Sequence, residues 1–258
     1  MKTRLSKNLG CSLLVLLGAL PVAGSERPVT QGYTIVSAHA YEGYSRTQLP
    51  DGSYQPETYA FGNGGKWNIG MVDKSIDNLR FEDIARTLSG SLSDQGFVRA
   101  TDPATTRLLI VVYWGTTSGS AEAPQFKIPM SNGDVLNGGG ISEMNDILNA
   151  RMLGFDFQSE ASPARYDPLG VQDEIEANRY FVGMVAYDFQ LLLRHKERKV
   201  LWVTRYSIRE HHNLFDRSLP EITRYAAQFF GQESHGFIVK KLKEGHVGFG
   251  PFRVFESN

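Results

Sequence analysis

The chain contains one cysteine, Cys11, among 258 residues. It lies in an apolar N-terminal leader, so removal of that leader leaves a mature chain with none. A disulfide framework, a thiolate nucleophile and a cysteine metal site are thereby excluded. The apolar stretch from Leu9 to Val22 covers roughly 14 residues, short of the roughly 20 that cross a bilayer. Neither sign of charge dominates: 27 Lys and Arg stand against 28 Asp and Glu, a formal net charge of −1. Without a basic stripe, nucleic acid is a poor partner, and so is a strongly anionic lipid surface. No internal repeat is visible. HExxH, GxSxG and GxxxxGK[ST] are all missing.

What is present at the N-terminus addresses the chain out of a bacterial cytoplasm. Lys2, Arg4 and Lys7 precede the apolar stretch, and Val22-Ala23-Gly24-Ser25 suits a signal peptidase. A lipid anchor needs a cysteine at the end of such a stretch, whereas Cys11 sits near its start. The expected organisation is a signal peptide over 1–25. A single α+β domain over 26–258 follows, with an irregular insertion at about 115–178. The expected location is periplasmic or outer-membrane-associated, with no transmembrane segment after leader removal.

Periodicity supplies the elements. Tyr33 to Ala40 alternates as a strand, and a short strand through Thr58-Tyr59-Ala60-Phe61 is expected to stop at the glycines of 62–65. Phe81, Ile84, Ala85, Leu88 and Leu92 recur at helical spacing within a helix over about Asp77 to Gln95, and Gly96 supplies a left-handed stop. Phe97 to Ala100 reads as a short strand and Asp102-Pro103 as a turn. Leu108 to Trp114 is a continuous apolar run suited to a central strand. Within 115–178 the one helical stretch is about Ser142 to Leu153. Ser218-Leu219-Pro220-Glu221 reads as a capping box opening a second helix. The tail from Phe237 to Phe255 reads as one or two short strands.

Residues 180–212 predict a hairpin. Strands Tyr180 to Arg194 and Lys199 to His212 meet across His195-Lys196-Glu197-Arg198, with Asp188 opposite Arg205 and Gln190 opposite Val203. One face then carries Phe181, Val185, Tyr187 and Phe189 against Trp202, Thr204, Tyr206 and Ile208. Together these elements predict a two-layer α+β sandwich, a mainly antiparallel sheet with two amphipathic helices on one face.

Three stretches resemble a family of bacterial envelope lipoproteins of no established activity. They are Glu57-Thr58-Tyr59-Ala60-Phe61-Gly62, the helix ending in Gln95-Gly96-Phe97, and Asp102 to Tyr113 with its late apolar strand. The long strand, polar turn, Lys199-Val200-Leu201-Trp202 and closing helix match the family's second half. The resemblance covers about residues 57–115 and 180–231. It implies the fold and an envelope location and transfers no catalytic residue. The chain departs from the family in lacking a lipidated cysteine and in carrying the 115–178 insertion.

Glu210-His211-His212 is the most tempting chemical cluster. On a strand Glu210 and His212 would share a face, so at most two could join one metal; the plainer reading is a polar strand end. Gly62-Asn63-Gly64-Gly65-Lys66 and Gly138-Gly139-Gly140 suggest phosphate cradles, but neither completes the motif, and turns are the commoner use of glycine. No catalytic, cofactor or metal residue is assigned. On the hairpin's outer face Leu192, Leu201 and Val203, bordered by Asp188 and Arg205, form a possible partner surface, unless the insertion or tail covers them. The resulting expectation is a non-catalytic binding or assembly module that contacts an envelope protein or cell-wall component. The alternative is a hydrolase of an envelope polymer; a small-ligand carrier is a third option.

Overall fold

The structure, a computed structural model, describes residues 32–68, 73–119, 128–129, 135–136, 146, 148–154 and 171–242. The leader, Gly138-Gly139-Gly140, most of the insertion and the chain beyond Leu242 lie outside the described residues. Among the described residues no helix is long and apolar enough to cross a membrane.

The fold is α+β. Seven strands form one sheet: β1 (Tyr33–Ala40), β2 (Glu57–Asn68), β3 (Phe97–Arg99), β4 (Leu108–Thr116), β7 (Arg179–Asp188), β8 (Val200–Arg209) and β9 (Phe237–Lys241). Their order is β3-β2-β4-β7-β8-β1-β9. The short strands β5 (Ile128–Pro129) and β6 (Val135–Leu136) pair separately and antiparallel. The large sheet is mixed rather than antiparallel throughout, because β2 runs parallel to both β3 and β4. Helices α1 (Lys74–Asp77) and α2 (Phe81–Asp94) fill the crossover that parallel neighbours require.

Helix α2 starts four residues later than its periodicity suggests. Asp83 accepts from the Arg80 amide at 3.2 Å and so closes the helix start. Its buried stripe is Ile84, Leu88 and Leu92. Helix α6 (Phe215–Ala226) begins earlier than expected, leaving Ser218 buried in its first turns rather than at its cap. Pro220 is inside this helix, on its exposed side. Phe215, Leu219, Ile222 and Ala226 join the α2 stripe in one core against β4, β7 and β8.

Strand β2 does not stop at its glycines. It runs through them with a register shift between Asn63 and Gly65, and a side chain at Gly64 would lie 2.6 Å from the Tyr113 ring. Gly64 serves close packing, and Gly65, with φ 100° and open space around it, supplies the left-handed backbone at the bulge.

The β7–β8 pairing is antiparallel, as expected, but in another register. Arg205 faces Gly183 rather than Asp188, a slip of five residues. An odd slip exchanges the faces of β7. Tyr180, Val182, Met184 and Ala186 therefore line the core with Ile208, Tyr206, Thr204 and Trp202. The cause is local. β7 ends at Asp188, whose carboxylate accepts from Leu191 N at 2.9 Å and caps helix α5 (Phe189–His195). The Leu-rich stretch favours helix over strand, and a helix advances less than half as far per residue.

A partial third layer covers the sheet's other face. Ala150 and Leu153, from a helical segment over 148–153 (α3), pack with Ile175 of α4 (Val171–Ile175) and Phe181 of β7. Asn149 Nδ2 donates to Ser118 O at 2.6 Å and Ile175 O at 3.0 Å. At the sheet's β3 edge the loop after β1 is pinned by Arg46, whose guanidinium lies over Tyr54 at 4.4 Å and Phe97 at 4.0 Å.

Candidate functional site

At one end of the sheet, where β7 begins and β8 finishes, an open cleft of about 820 Å³ is lined by Asp73, Lys74, Asn178, Tyr180, Glu210, His211 and His212, with Asn213 and Leu214 at its margin. Asp73 is the N-cap of α1: its Oδ1 accepts from Ser75 N at 2.8 Å, and its Oδ2 accepts from Ser75 Oγ at 3.0 Å. Tyr180 donates its phenol proton to the same Oδ2. Ser75 Oγ in turn accepts from Phe215 N at 3.0 Å, satisfying the first amide of α6. One carboxylate thus ties a short helix, a central strand and the second long helix together.

The polar chain continues outward. Asp73 N donates to Asp77 Oδ2 at 3.1 Å, and Lys66 Nζ holds Asp77 Oδ1 at 2.8 Å. Beside the cleft, Glu174 of α4 receives Arg209 through both oxygens, at 3.0 and 2.9 Å. Glu174 also pairs with Arg179, which is wholly buried. Arg179 spends its other donors on Ser207 Oγ at 2.9 Å and on the carbonyls of Tyr33 and Ser207 at 3.2 Å. Burial pushes the Arg179 pKa down, and Glu174 opposes that shift.

Burial, reinforced by the Asp73 carboxylate that receives its proton, holds the Tyr180 phenol above its usual range, with Glu210 adding in the same direction. Burial raises Tyr206 likewise, and burial together with Glu57 raises Tyr44. A phenol raised by folding keeps its proton while the unfolded chain loses its own. Its contribution to stability is complete below the ordinary phenol pKa of about 10 and disappears as pH rises from there through the folded value. The thermal midpoint should therefore hold to about pH 9 and fall beyond about pH 10, with a shallower fall in Tyr180→Phe. Thermal melts followed by circular dichroism across that range test it.

The structure revises the reading of Glu210-His211-His212. β8 ends at Arg209, so these residues form a turn and not a strand end. The two imidazoles lie side by side, with ring centroids 3.7 Å apart, and His212 has φ 65°. Strand alternation, which would have separated them, does not apply. Among the described residues no group of three or more His, Cys, Asp and Glu is placed to hold a metal ion.

The surface expected from Leu192, Leu201, Val203, Arg205 and Asp188 is not an exposed apolar patch. Leu201 and Val203 are 6% and 4% exposed. Asp188 caps α5, Leu192 is half-buried within that helix, and burial pushes the Arg205 pKa down. The sheet face bearing Arg205 is approached by the α3 segment: a side chain at Gly154 would meet Ser37 at 2.7 Å and Arg205 at 3.4 Å. Among the tyrosines near the N-terminus, Tyr59 and Tyr44 are buried while Tyr33 and Tyr41 are exposed. Sequence reasoning missed Asp73, Ser75 and Tyr180. Asp73-Lys74-Ser75 carries the local signal of a capping turn, but its meeting with Tyr180, 107 positions away, has no local signal.

No protein-family model matches the chain, and no curated protein is similar to it. Among solved structures, the chain is similar to a PDZ domain protein from Parabacteroides distasonis, with a TM-score of 0.40 and 12% identity. That likeness covers 83% of this chain and 40% of the other.

Proposed function

We propose that this is an exported bacterial envelope protein that acts as a non-catalytic binding or assembly module and meets an envelope protein or cell-wall component at the sheet-end cleft. The observation that carries this reading is the state of the acids around the cleft. Asp73 accepts three donors and Glu174 holds two arginines, so both are committed to holding elements together. A carboxylate so engaged is a weak proton shuttle. Lys74 and His211 are exposed on the cleft wall and available to a partner. The leader with Lys2, Arg4 and Lys7 supports the envelope location.

One observation favours the hydrolase alternative: Asp73 and Glu210 both line the cleft with Tyr180, so it holds two carboxylates. Incubation of the mature chain with purified peptidoglycan sacculi separates the readings. A binding module co-sediments, and Lys74→Ala with His211→Ala weakens retention by about tenfold without moving the melting point. Soluble fragments that stop appearing in Asp73→Asn, at an unchanged melting point, would establish the hydrolase. Cell fractionation followed by N-terminal sequencing tests export, with a mature terminus expected after Gly24 or Ser25. Recovery of intact residues 1–25 from the cytoplasm would refute it.

A further inference from the structure

Strand β3 is short, and it runs beside β2 only from Glu57 to Tyr59. β2 continues to Asn68, and among the described residues no strand pairs with its outer edge beyond Tyr59. The direction of the backbone groups along that edge is known. Glu57 N donates to Gly96 O at 3.2 Å and Ala100 N to Tyr59 O at 2.8 Å on the β3 side, while Arg107 N reaches Thr58 O from the β4 side. Residues of a parallel strand send both backbone groups to one side in alternation, so Phe61 and Asn63 present theirs outward. Such an edge is a template for another strand.

The edge opens into a groove of about 670 Å³ between β2 and α2. Phe61, Phe81 and Ala85 supply its apolar floor, with the two phenylalanine rings edge to face at 6.3 Å. Arg86 and Arg99 line it together with Glu82. Asp83 is shared between Arg80 and Arg86, so two carboxylates, Glu82 and Asp83, stand against three arginines, and Arg99 forms no ion pair among the described residues. We infer that this groove takes an extended acidic peptide segment of a partner protein, added to the sheet in line with β3. Its backbone pairs with Phe61 and Asn63, an apolar side chain rests on the floor formed by Phe61 and Phe81, and a carboxylate meets Arg99. Backbone pairing supplies the grip, and the pocket and the arginine supply the choice. A second copy of the chain fits less well, because self-pairing sets this arginine-bearing rim against its own image.

This site shares no lining residue with the sheet-end cleft and does not depend on the reading given to it. The probes are three short fluorescent peptides in which valine alternates with glutamate, serine or lysine, measured by fluorescence polarisation on the full chain. The glutamate peptide binds, at least about tenfold more tightly than the lysine peptide. Asn63→Pro, which removes an outward donor, weakens it by about tenfold, and Arg99→Glu inverts the preference towards lysine. Hydrogen exchange shows new protection at the Phe61 and Asn63 amides in the complex. Arg99→Glu changes one exposed side chain, so it carries the test if Asn63→Pro misfolds. Absence of binding by all three peptides overturns the inference, as does a preference that Arg99→Glu leaves unchanged. A dimer in sedimentation, lost in Asn63→Pro, would assign the edge to a second copy instead.

Discussion

The Glu174→Ala variant should unfold at a free energy about 3–5 kcal/mol below the parent chain. Arg179 is wholly buried, and Glu174 is the anion it pairs with. Removing that anion leaves a guanidinium away from water with only neutral acceptors, Ser207 Oγ and the carbonyls of Tyr33 and Ser207. The same substitution frees Arg209, but that side chain is 43% exposed and recovers solvent. Arg209→Ala should therefore cost only about 1 kcal/mol or less. Glu174→Ala combined with Arg179→Met should regain part of the loss, because an apolar side chain in a buried site carries no unanswered charge. Urea unfolding of the four proteins measures these differences. Equal losses for Glu174→Ala and Arg209→Ala would show that Arg179 is not the source.

Trp202→Ala should cost a similar amount, about 3–5 kcal/mol. The indole is fully buried, stacked on Phe230 at 6.3 Å and 11° and tilted against Phe97 at 5.9 Å. It thereby joins β8 to the edge strand β3 and to the segment after α6, and its loss empties a volume that three elements share. Trp202→Phe should cost much less, about 1–2 kcal/mol, since it keeps a ring and removes an indole N–H. That N–H has no hydrogen-bond partner among the described residues. If alanine and phenylalanine proved equally costly in denaturant unfolding, packing around the ring would not be the main source of the loss.

The elements that could be read in advance are those with one dry side or one distinctive residue. β1 spans Tyr33–Ala40 as its alternation implies, β4 contains the whole apolar run from Leu108 to Trp114, and Gly96 has φ 78° at the end of α2. The register of β7 on β8 could not be read this way. Tyr180, Val182 and Met184 face the helices while Phe181 faces the α3–α4 layer, so both sets of alternate residues are apolar. A pattern that marks both faces as interior does not say which one faces the helices.

The candidate site was less legible still. Glu210-His211-His212 stood out as residue types, but the turn that brings the two rings together follows from where β8 ends. Asp73, Ser75 and Tyr180 are ordinary residues until the sheet places them in contact.

From the sequence alone came the expectation of a leader and, resting on it, of a mature chain without cysteine, together with the helix stripes and the α+β class, because each rests on composition or on neighbours a few positions apart. Tertiary structure decided the parallel pairing of β2, the face of β7, the burial of Leu201 and Val203, and the open edge beyond Tyr59. Those depend on which distant segments pack on a shared surface and how far each extends along it, and short-range periodicity carries no record of either.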